Sequence, residues 1–421
     1  MKVLSLFDGM ACGALALQAA GIEIESYDAF EIDKYAIKTA SHNFPFIKQH
    51  GDVFAADFTQ FKGVDLVCGG SPCTYWSIAQ KNNRETEASG MGWELFQQYV
   101  RAIKEAEPKY FIYENNKSMS KAIRASIDEA FGFEAVLINS ALVSAQNRQR
   151  LYWVGKRNPD GTYSKVNVEQ PIDRGILLKG VLDGNTDREK ARAVIGSIGR
   201  TTTREYFKKQ QNTMSFEPVN PTADGKSQTI KAQYQQNNED NFIVWAGGTF
   251  GASGVAEPVR IGTYPNEAKN QDKHDSQQYR IYSTEGKSVA ICGNGGGMGA
   301  KTGLYAIPVE FDGDIPTKAI SAADGKIYRV HKVENGLITI KGKQYPIKLA
   351  DAYYIIPKLT VCECMRLQTV PEWYEFPVSD AQAYKMLGNG WTVDVIAHLL
   401  KSCLSGKVDI QPEFDEQLRF F

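Results

Sequence analysis

The segment GGSPCTYWS, residues 69–77, places Cys73 directly after a proline and at the end of the apolar run VDLVCGG. Because Pro72 cannot continue a strand ladder and fixes its own φ angle, Cys73 follows the end of a predicted buried strand. Ligands of open parallel sheets bind beyond the carboxyl ends of the strands, which favours Cys73 as a thiol nucleophile. The alternative for a single cysteine is a small buried apolar role.

Two further segments carry charged groups that could act at the same edge. FIYENN places Glu114 at the end of the neighbouring predicted strand, facing the same crevice as Cys73, with a helix cap as its alternative role. AQNRQRLYWVG sets Gln146, Arg148 and Arg150 at period two, which predicts one face of a strand. Two arginines there need an anionic or oxygen-rich partner, such as Glu114 or a ligand carbonyl, unless the strand is a solvated edge.

The first predicted strand runs into FDGMACG, residues 7–13. Glycines between a buried strand and a helix let the backbone approach a ligand, but this spacing is not the dinucleotide pattern. Asp8 would repel a pyrophosphate and suits a cationic group such as the ammonium of an amino acid. Glu31 would accept hydrogen bonds from ribose hydroxyls and Asp52 from an adenine amino group. A nucleoside with an amino-acid tail and no phosphates describes S-adenosylmethionine.

Alternating strand and helix signals over the first 155 or so residues predict an α/β fold with a doubly wound, mostly parallel sheet. From about residue 158 to residue 350 the chain is rich in Gly, Asn, Gln, Thr and Ser, which predicts a separate, irregular, mostly β domain with a hairpin at Lys341–Gly342. LTVCECMRLQ and WTVDVIAHLLKSCL predict helices beyond it. The predicted domains are residues 1–157, 158–350 and a returning segment 351–421.

The composition is that of a globular protein, with 43% hydrophobic and 23% charged residues among 421. No apolar run approaches the roughly 20 residues of a membrane span, and acid and glycine interrupt MKVLSLFDGM too early for a signal peptide. The seven cysteines lack metal-ligand spacing, so we expect reduced thiols, a cytoplasmic location and no metal. A basic segment at residues 188–209 suits phosphate contacts or a solvated face.

Six segments follow one another in the order and spacing of the motifs of one enzyme family. They are LSLFDGMACG, GGSPCTYWS, YEN, QNRQR, CECMRLQ and LGNGWTVDVI. Together they resemble the motifs of the cytosine-5 DNA methyltransferases, and the first and last are most similar to those of the vertebrate de novo enzymes. The resemblance implies a Rossmann-like S-adenosylmethionine-dependent methyltransferase. The unmatched middle segment corresponds to an inserted target recognition domain.

The resemblance also implies a catalytic set. Cys73, partly as thiolate, would add to carbon 6 of cytosine, Glu114 would donate a proton to ring N3, and Arg150 would hold the base O2 with support from Arg148. The target base must then be flipped out of double-stranded DNA, and residues 74–92 are a candidate loop that closes over the DNA.

The resemblance implies a cofactor pocket for S-adenosylmethionine in which Glu31 takes the ribose, Ile32 packs on adenine and Asp52 holds the adenine edge. The full set of implied cofactor contacts is Phe7, Asp8, Gly9, Met10, Ala11, Gly13, Glu31, Ile32, Asp52, Val53, Pro72, Asn389 and Trp391. Arg366 of CECMRLQ is expected to support the recognition domain. Asn116 departs from the family, which commonly has valine after the Glu-Asn pair.

The expected activity is DNA cytosine-5 methylation of a short sequence, with no membrane partner; a cognate restriction enzyme is a further partner that the resemblance allows. Two alternatives keep much of the same sequence pattern: an RNA cytosine-5 methyltransferase and a non-catalytic, methyltransferase-like DNA-binding regulator. The first lacks support because the Cys-Phe-Thr signature is missing. The second would be marked by loss of Cys73 or Glu114, and both are present. An oxidoreductase is disfavoured by the missing dinucleotide pattern.

Overall fold

The computed structural model describes most of the two predicted catalytic segments and parts of the middle segment. The described residues are 1–77, 84–183, 191–193, 256–265, 277–291, 302–311, 314–321 and 325–404. Within these ranges Cys73, Glu310 and residues 191–193 are described by their backbone only. Most of the basic segment 188–209 and part of the predicted loop 74–92 lie outside the described residues. No α-helix in the described ranges is long and apolar enough to cross a bilayer.

The N-terminal part of the chain supplies nine strands: β1 (Lys2–Leu6), β2 (Ser26–Phe30), β3 (Lys48–Gln49), β4 (Leu66–Gly69), β5 (Tyr110–Asn116), β6 (Val136–Asn139), β7 (Gln146–Asn147), β8 (Gln149–Arg157) and β9 (Tyr163–Lys165). The main sheet has the order β3-β2-β1-β4-β5-β8-β6, with β9 on β8. Pairs from β3 through β5 are parallel, whereas β8 is antiparallel to β5, β6 and β9. The predicted mostly parallel sheet is confirmed.

Helices cover both faces of this sheet, as a doubly wound fold requires. They are α1 (Cys12–Ala19), α2 (Lys34–Asn43), α3 (Gly90–Ala106), α4 (Lys121–Phe131), α5 (Val361–Leu367), α6 (Asp380–Asn389) and α7 (Val393–Leu404). One core joins α1, α2, α5, α6 and α7, and the other joins α3 and α4. Helices α4 and α6 were not predicted, although Ser120 caps α4 through the N–H of Ile123 and Gly132 ends it at φ 78°.

The described residues between 158 and 350 contain strands and 3₁₀ turns but no α-helix, which agrees with the predicted mostly β insert. Beyond β9, the strands are β10 (Ala191–Ala193), β11 (Arg260–Thr263), β12 (Arg280–Tyr282), β13 (Ser288–Val289), β14 (Leu304–Tyr305), β15 (Ile307–Glu310), β16 (Lys318–Ile320), β17 (Ile327–Arg329), β18 (His331–Glu334), β19 (Leu337–Ile340), β20 (Lys343–Pro346) and β21 (Ala352–Ile355). The predicted hairpin is confirmed, since Lys341 and Gly342 have φ 50° and 77° between β19 and β20. The domain boundaries remain a prediction; β9 extends the first sheet beyond residue 157.

The C-terminal segment returns to the N-terminal glycine turn. Helix α7 packs on α1, and the Tyr374 hydroxyl donates to the carbonyl of Met10 at 2.6 Å. Lys385 forms a 2.7 Å ion pair with Asp33, the residue that caps α2. The loop after α6 is therefore fixed beside the loop after β1.

The main sheet has little room on the face that α3 and α4 cover. A Cβ atom at Gly155 of β8 would overlap the ring of Phe111 on β5, inside the core. We expect Gly155→Ala to lower the free energy of unfolding by about 1–3 kcal/mol, because the packed ring cannot move away freely. The measurement is the urea midpoint followed by tryptophan fluorescence.

The control is Gly180→Ala, since a Cβ atom at Gly180 meets no heavy atom within 4 Å. Equal urea midpoints for the two variants and the wild type would contradict this description of the β5–β8 contact.

Candidate active site

The loop after β4 is fixed against the end of β5. A Cβ atom at Gly70 would lie 2.7 Å from the carbonyl oxygen of Glu114 and 2.9 Å from its Oε2, so only glycine permits this approach. Asn115 donates to the carbonyl of Ser71 at 3.2 Å, and the hydroxyls of Ser71 and Tyr113 are 2.6 Å apart. The chain therefore leaves this loop in a fixed direction directly before Pro72 and Cys73.

Glu114 is a buried carboxylate with a donor on each oxygen. Arg150 Nε lies 3.0 Å from Oε1, and Trp391 Nε1 donates to Oε2 at 3.0 Å. The antiparallel pairing of β5 and β8 places Arg150 opposite Asn116, two residues along from Glu114. Of the two partners that the sequence left open for the arginines, Glu114 or a ligand carbonyl, the structure pairs Arg150 with Glu114. The contact of Trp391 with Glu114 was not predicted, because it joins residues 277 positions apart.

Cys73 begins a 3₁₀ turn, Cys73–Tyr75, at the carboxyl edge of the sheet, and its side chain lies outside the described residues. Behind it, the start of the predicted loop 74–92 is joined to Glu85 in the same loop. Trp76 Nε1 donates to Glu85 at 2.9 Å, and the N–H of Glu85 donates to the carbonyl of Tyr75 at 2.9 Å. The backbone of Cys73 thus lies between two fixed points, the Gly70 loop and this closure.

Arg148 lies in a different environment from Arg150. Its buried guanidinium donates to the carbonyls of Gly388 at 3.2 Å, Gly390 at 2.9 Å and Ile291 at 3.2 Å. The prediction that Gln146, Arg148 and Arg150 share one face of one strand is wrong. The strand is interrupted at Arg148, which lies between β7 and β8. The physical reason is pairing: β7 pairs with β13 of the middle segment, whereas β8 pairs with β5. Arg148 thus binds the backbone that leads into Trp391.

The predicted ammonium site at Asp8 has an unpaired oxygen. Asp8 is buried, and its Oδ1 accepts from Ser5 and Tyr27 hydroxyls at 2.7 Å each. Within the described part of the chain its Oδ2 has no hydrogen-bond partner. Burial raises the pKa of Asp8 to about 6, against the lowering effect of the two hydroxyls. A carboxylate that is hard to ionise and incompletely paired would be stabilised by a cation.

Glu31 orders the turn above Asp8. Its Oε2 accepts from the N–H of Gly9 at 2.8 Å, and its Oε1 accepts from the N–H groups of Ile32 and Asp33 at 2.7 and 2.8 Å. Gly9 has φ 61°, a conformation that glycine adopts without strain. The side chain of Ile32 is 74% exposed and presents an apolar surface directly after β2.

The remaining predicted cofactor residues fall into three groups. Asp52 caps the 3₁₀ turn that begins at buried Val53, accepting from the N–H of Phe54 at 3.0 Å. Phe7 and Ala11 carry positive φ angles of 56° and 61°, unusual strain for residues that have side chains.

The third group comprises four residues that differ in burial. Met10 is 1% exposed, and a Cβ atom at Gly13 would lie 2.5 Å from the hydroxyl of Tyr27, so Gly13 permits α1 to pack on that tyrosine. Pro72 and Asn389 are exposed. The structure therefore groups Asp8, Gly9, Glu31 and Ile32 at one edge, and the contact roles of the whole predicted set remain predictions.

The carboxyl edge of the doubly wound sheet thus carries a buried acid, two fixed arginines and a turn suited to a nucleoside with a cationic tail. Known proteins resemble this chain over most of its length. The model of the C-5 cytosine-specific DNA methylases matches residues 1–405. An orphan methyltransferase, M.Rho11sI of Bacillus phage rho11s, is 26% identical over 77% of this chain and 65% of its own length. The type II methyltransferase M1.ScrFI of Lactococcus lactis subsp. cremoris is 30% identical over 69% of this chain and 75% of its own length.

A solved structure shows the same fold at low sequence identity. The Entamoeba histolytica methyltransferase EhMeth superimposes with a TM-score of 0.52 and 12% identity, covering 96% of this chain and 98% of its own. The chain belongs to the family of C-5 cytosine-specific DNA methylases, enzymes that methylate carbon 5 of cytosine in DNA. The resemblance inferred from the motifs is confirmed.

The hydrogen bond from Trp391 to Glu114 can be tested apart from the packing of the indole ring. Trp391→Phe keeps an aromatic ring but removes the N–H donor, so we expect about a tenfold lower kcat with a nearly unchanged Michaelis constant for the methyl donor. Trp391→Ala removes the ring as well and should also raise that Michaelis constant. The measurement is steady-state methyl transfer to DNA at varied donor concentration.

The control is Trp373→Phe, since Trp373 is a half-exposed tryptophan on the surface. A Trp391→Phe variant with the kcat of the wild type would show that the second donor on Glu114 is dispensable.

Proposed function

We propose that this chain transfers a methyl group from S-adenosylmethionine to carbon 5 of a cytosine flipped out of double-stranded DNA, through a covalent adduct at Cys73. The observation that carries the proposal is the doubly held carboxylate of Glu114, fixed by the backbone approach of Gly70 beside the loop that leads to Cys73.

The chemistry requires a nucleophile and an acid on the same base. Cytosine carbon 5 is not nucleophilic enough to accept a methyl group from a sulfonium. The Cys73 thiolate adds to carbon 6 while Glu114, which first takes up a proton from solvent, delivers that proton to N3, which gives an enamine with a nucleophilic carbon 5. Arg150 holds Glu114, and we assign to it the O2 of the cytosine, as the family resemblance implies. Once carbon 5 carries the methyl group, its proton is lost to a solvent base. Expulsion of the Cys73 thiolate and return of the N3 proton to the Glu114 carboxylate then restore the neutral ring.

The residues at the β1–β2 edge fit S-adenosylmethionine, which supplies the methyl group when bound. The unpaired Oδ2 of buried Asp8 suits the ammonium of the methionine part. Glu31 carries two acceptor oxygens for the ribose hydroxyls, and the exposed Ile32 offers an apolar surface to adenine. Asp52 and Val53 follow β3 and suit the adenine edge.

The proposed DNA contacts come from the inserted segment. We infer that residues 158–350 hold the target recognition domain and that residues 74–92 close over the DNA. Arg366 of α5 supports the insert rather than the base, since its guanidinium binds the carbonyl of Val181 at 3.1 Å and the carboxylate of Asp183. A base within the duplex cannot reach Cys73. The base must therefore be unstacked before the reaction, which costs a few kcal/mol.

The activity can be read from the DNA of the expressing cell. Plasmid DNA from a host without its own cytosine methylation, expressing this chain, should show bisulfite-protected cytosines in one short recurring sequence. Cys73→Ser should abolish protection because it removes the nucleophile. Glu114→Gln should lower the turnover of purified protein by at least about a hundredfold, because the amide cannot deliver the N3 proton.

Cys362→Ser is the matched control, since Cys362 is exposed and far along the chain from the site. A Cys73→Ser variant that still protects DNA would contradict the covalent route. Uniform conversion by soluble wild-type protein would instead favour the RNA methyltransferase or the non-catalytic regulator.

The buried carboxyl group of Asp8 predicts a pH-dependent affinity for S-adenosylmethionine. An ammonium binds the ionised form, and the pKa of Asp8 is about 6 in the free protein. Asp8 is therefore mostly ionised at pH 7 and mostly protonated at pH 5, so the affinity should fall about tenfold as the pH is lowered between these values. The measurement is calorimetric binding of S-adenosylmethionine in the absence of DNA.

Asp8→Asn should bind more weakly at pH 7 and show no such pH dependence. Asp160→Asn, in an exposed turn, should keep the pH dependence of the wild type. An unchanged affinity of the wild-type protein from pH 7 to pH 5 would remove Asp8 from the ammonium site.

A further inference from the structure

Lys287 is a fully buried lysine that belongs to the middle segment but whose ammonium lies among the catalytic elements. Its side chain is 1% exposed. Nζ donates to the carbonyls of Ala141 at 2.8 Å, Ser144 at 3.0 Å and Ile176. An ammonium has three donors, and three backbone carbonyls occupy them.

The charge environment makes this an unusual place for a lysine. Burial lowers the pKa of Lys287 to about 8, and the negative charge of Asp173 partly opposes this. The neighbouring ion pair of Lys179 and Glu285 lies at the surface, where water screens it. Burying an ammonium is unfavourable unless it is fully hydrogen-bonded. Lys287 is therefore stable in this position only while the three carbonyls surround its ammonium.

The backbone next to Lys287 lies at the interface between the middle segment and the catalytic part. We call this interface, residues 287–291 against residues 141–148, the seam. The N–H of Ser288 donates to the carbonyl of Ala145 at 2.6 Å, and β13 pairs in parallel with β7. Within the middle segment itself, the N–H of Leu178 donates to the carbonyl of Gly286 at 3.0 Å. The ammonium and the strand pairing thus fix the same short segment from two sides.

A series of hydrogen bonds connects this seam to the candidate active site. The 3₁₀ turn Ser140–Leu142 contains one of the carbonyls bound by Lys287, and the N–H of Ser140 donates to the carbonyl of Arg148 at 2.9 Å. The Arg148 guanidinium joins the carbonyl of Ile291, four residues after Lys287, to that of Gly390. The next residue, Trp391, donates to Glu114.

We propose that Lys287 is a positioning residue for methyl transfer, which fixes the middle segment against the turn before Arg148 and so sets the placement of Trp391 on Glu114. The inference rests on the proposed function, since it needs Glu114 to act on the base. It assigns to the inserted segment a part in catalysis separate from contact with DNA. The role concerns the direction of the Trp391 N–H donor and leaves its ring in the donor pocket, so that binding of the donor at Asp8 and Glu31 should be preserved.

The test uses the full-length chain and a duplex containing the site found by bisulfite sequencing. Lys287→Met keeps the length of the side chain but leaves three buried carbonyls without donors. We expect at least a tenfold lower kcat, with the dissociation constant for S-adenosylmethionine within twofold of the wild type. Lys287→Gln, whose amide can donate to two of the carbonyls, should have an intermediate kcat.

Lys179→Met is the matched control, because it removes a lysine of the middle segment whose ion pair with Glu285 is exposed to solvent. Its kcat and donor affinity should stay within twofold of the wild type. Thermal unfolding and donor binding identify folded variants. A Lys287→Met variant that binds S-adenosylmethionine and turns over within twofold of the wild type would overturn the positioning role.

Should neither Lys287→Met nor Lys287→Gln bind S-adenosylmethionine, the fold as a whole depends on Lys287, and the positioning role is again overturned. A wild-type chain without methyl transfer contradicts the proposed function itself. An active wild type with an equally active Lys287→Met variant contradicts only the role of Lys287.

Discussion

The carboxylate of Glu114 is the point on which the arrangement of the site depends. It stands at the end of a central strand, and its two oxygens receive donors from different parts of the chain, Arg150 of the adjacent strand and Trp391 of the C-terminal segment. A buried carboxylate is stable only when it is paired and hydrogen-bonded. The segments that supply the donors must therefore be in place before the acid is held in one orientation.

This requirement explains why the chain returns to the catalytic sheet after an insert of almost 200 residues. Trp391 reaches Glu114 only if the Gly388–Gly390 backbone is fixed, and Arg148 fixes it by binding two of its carbonyls. Tyr374 holds the same C-terminal segment to the turn at Met10, beside Asp8. The acid and the turn of the proposed donor pocket thus contact different residues of one C-terminal segment.

The parts of this arrangement that depend on local sequence could be predicted. The parallel strands appear as continuous apolar runs because both of their faces are buried, and the Lys341–Gly342 hairpin follows from local turn chemistry. The pairing of Arg150 with Glu114 was accessible because adjacent strands carry the two residues. The Trp391–Glu114 bond was not, since 277 residues separate its partners and no local pattern specifies which distant loop meets a strand end.

Arg148 and Lys287 show a second limit of sequence patterns. The alternating pattern predicted that Arg148 and Arg150 share one strand. The strand is interrupted at Arg148 because β7 pairs in parallel with β13 and not with the main sheet. A lysine in a polar, glycine-rich segment indicates a solvated turn. Lys287 is buried instead, because the carbonyls that accept its hydrogen bonds come from residues 141, 144 and 176. Backbone carbonyls have no sequence signature, so cations that bind them are recognised only once the fold has brought them together. Both cations bind such carbonyls at the seam of the insert, which ties the orientation of Glu114 to the docking of the segment proposed to read DNA.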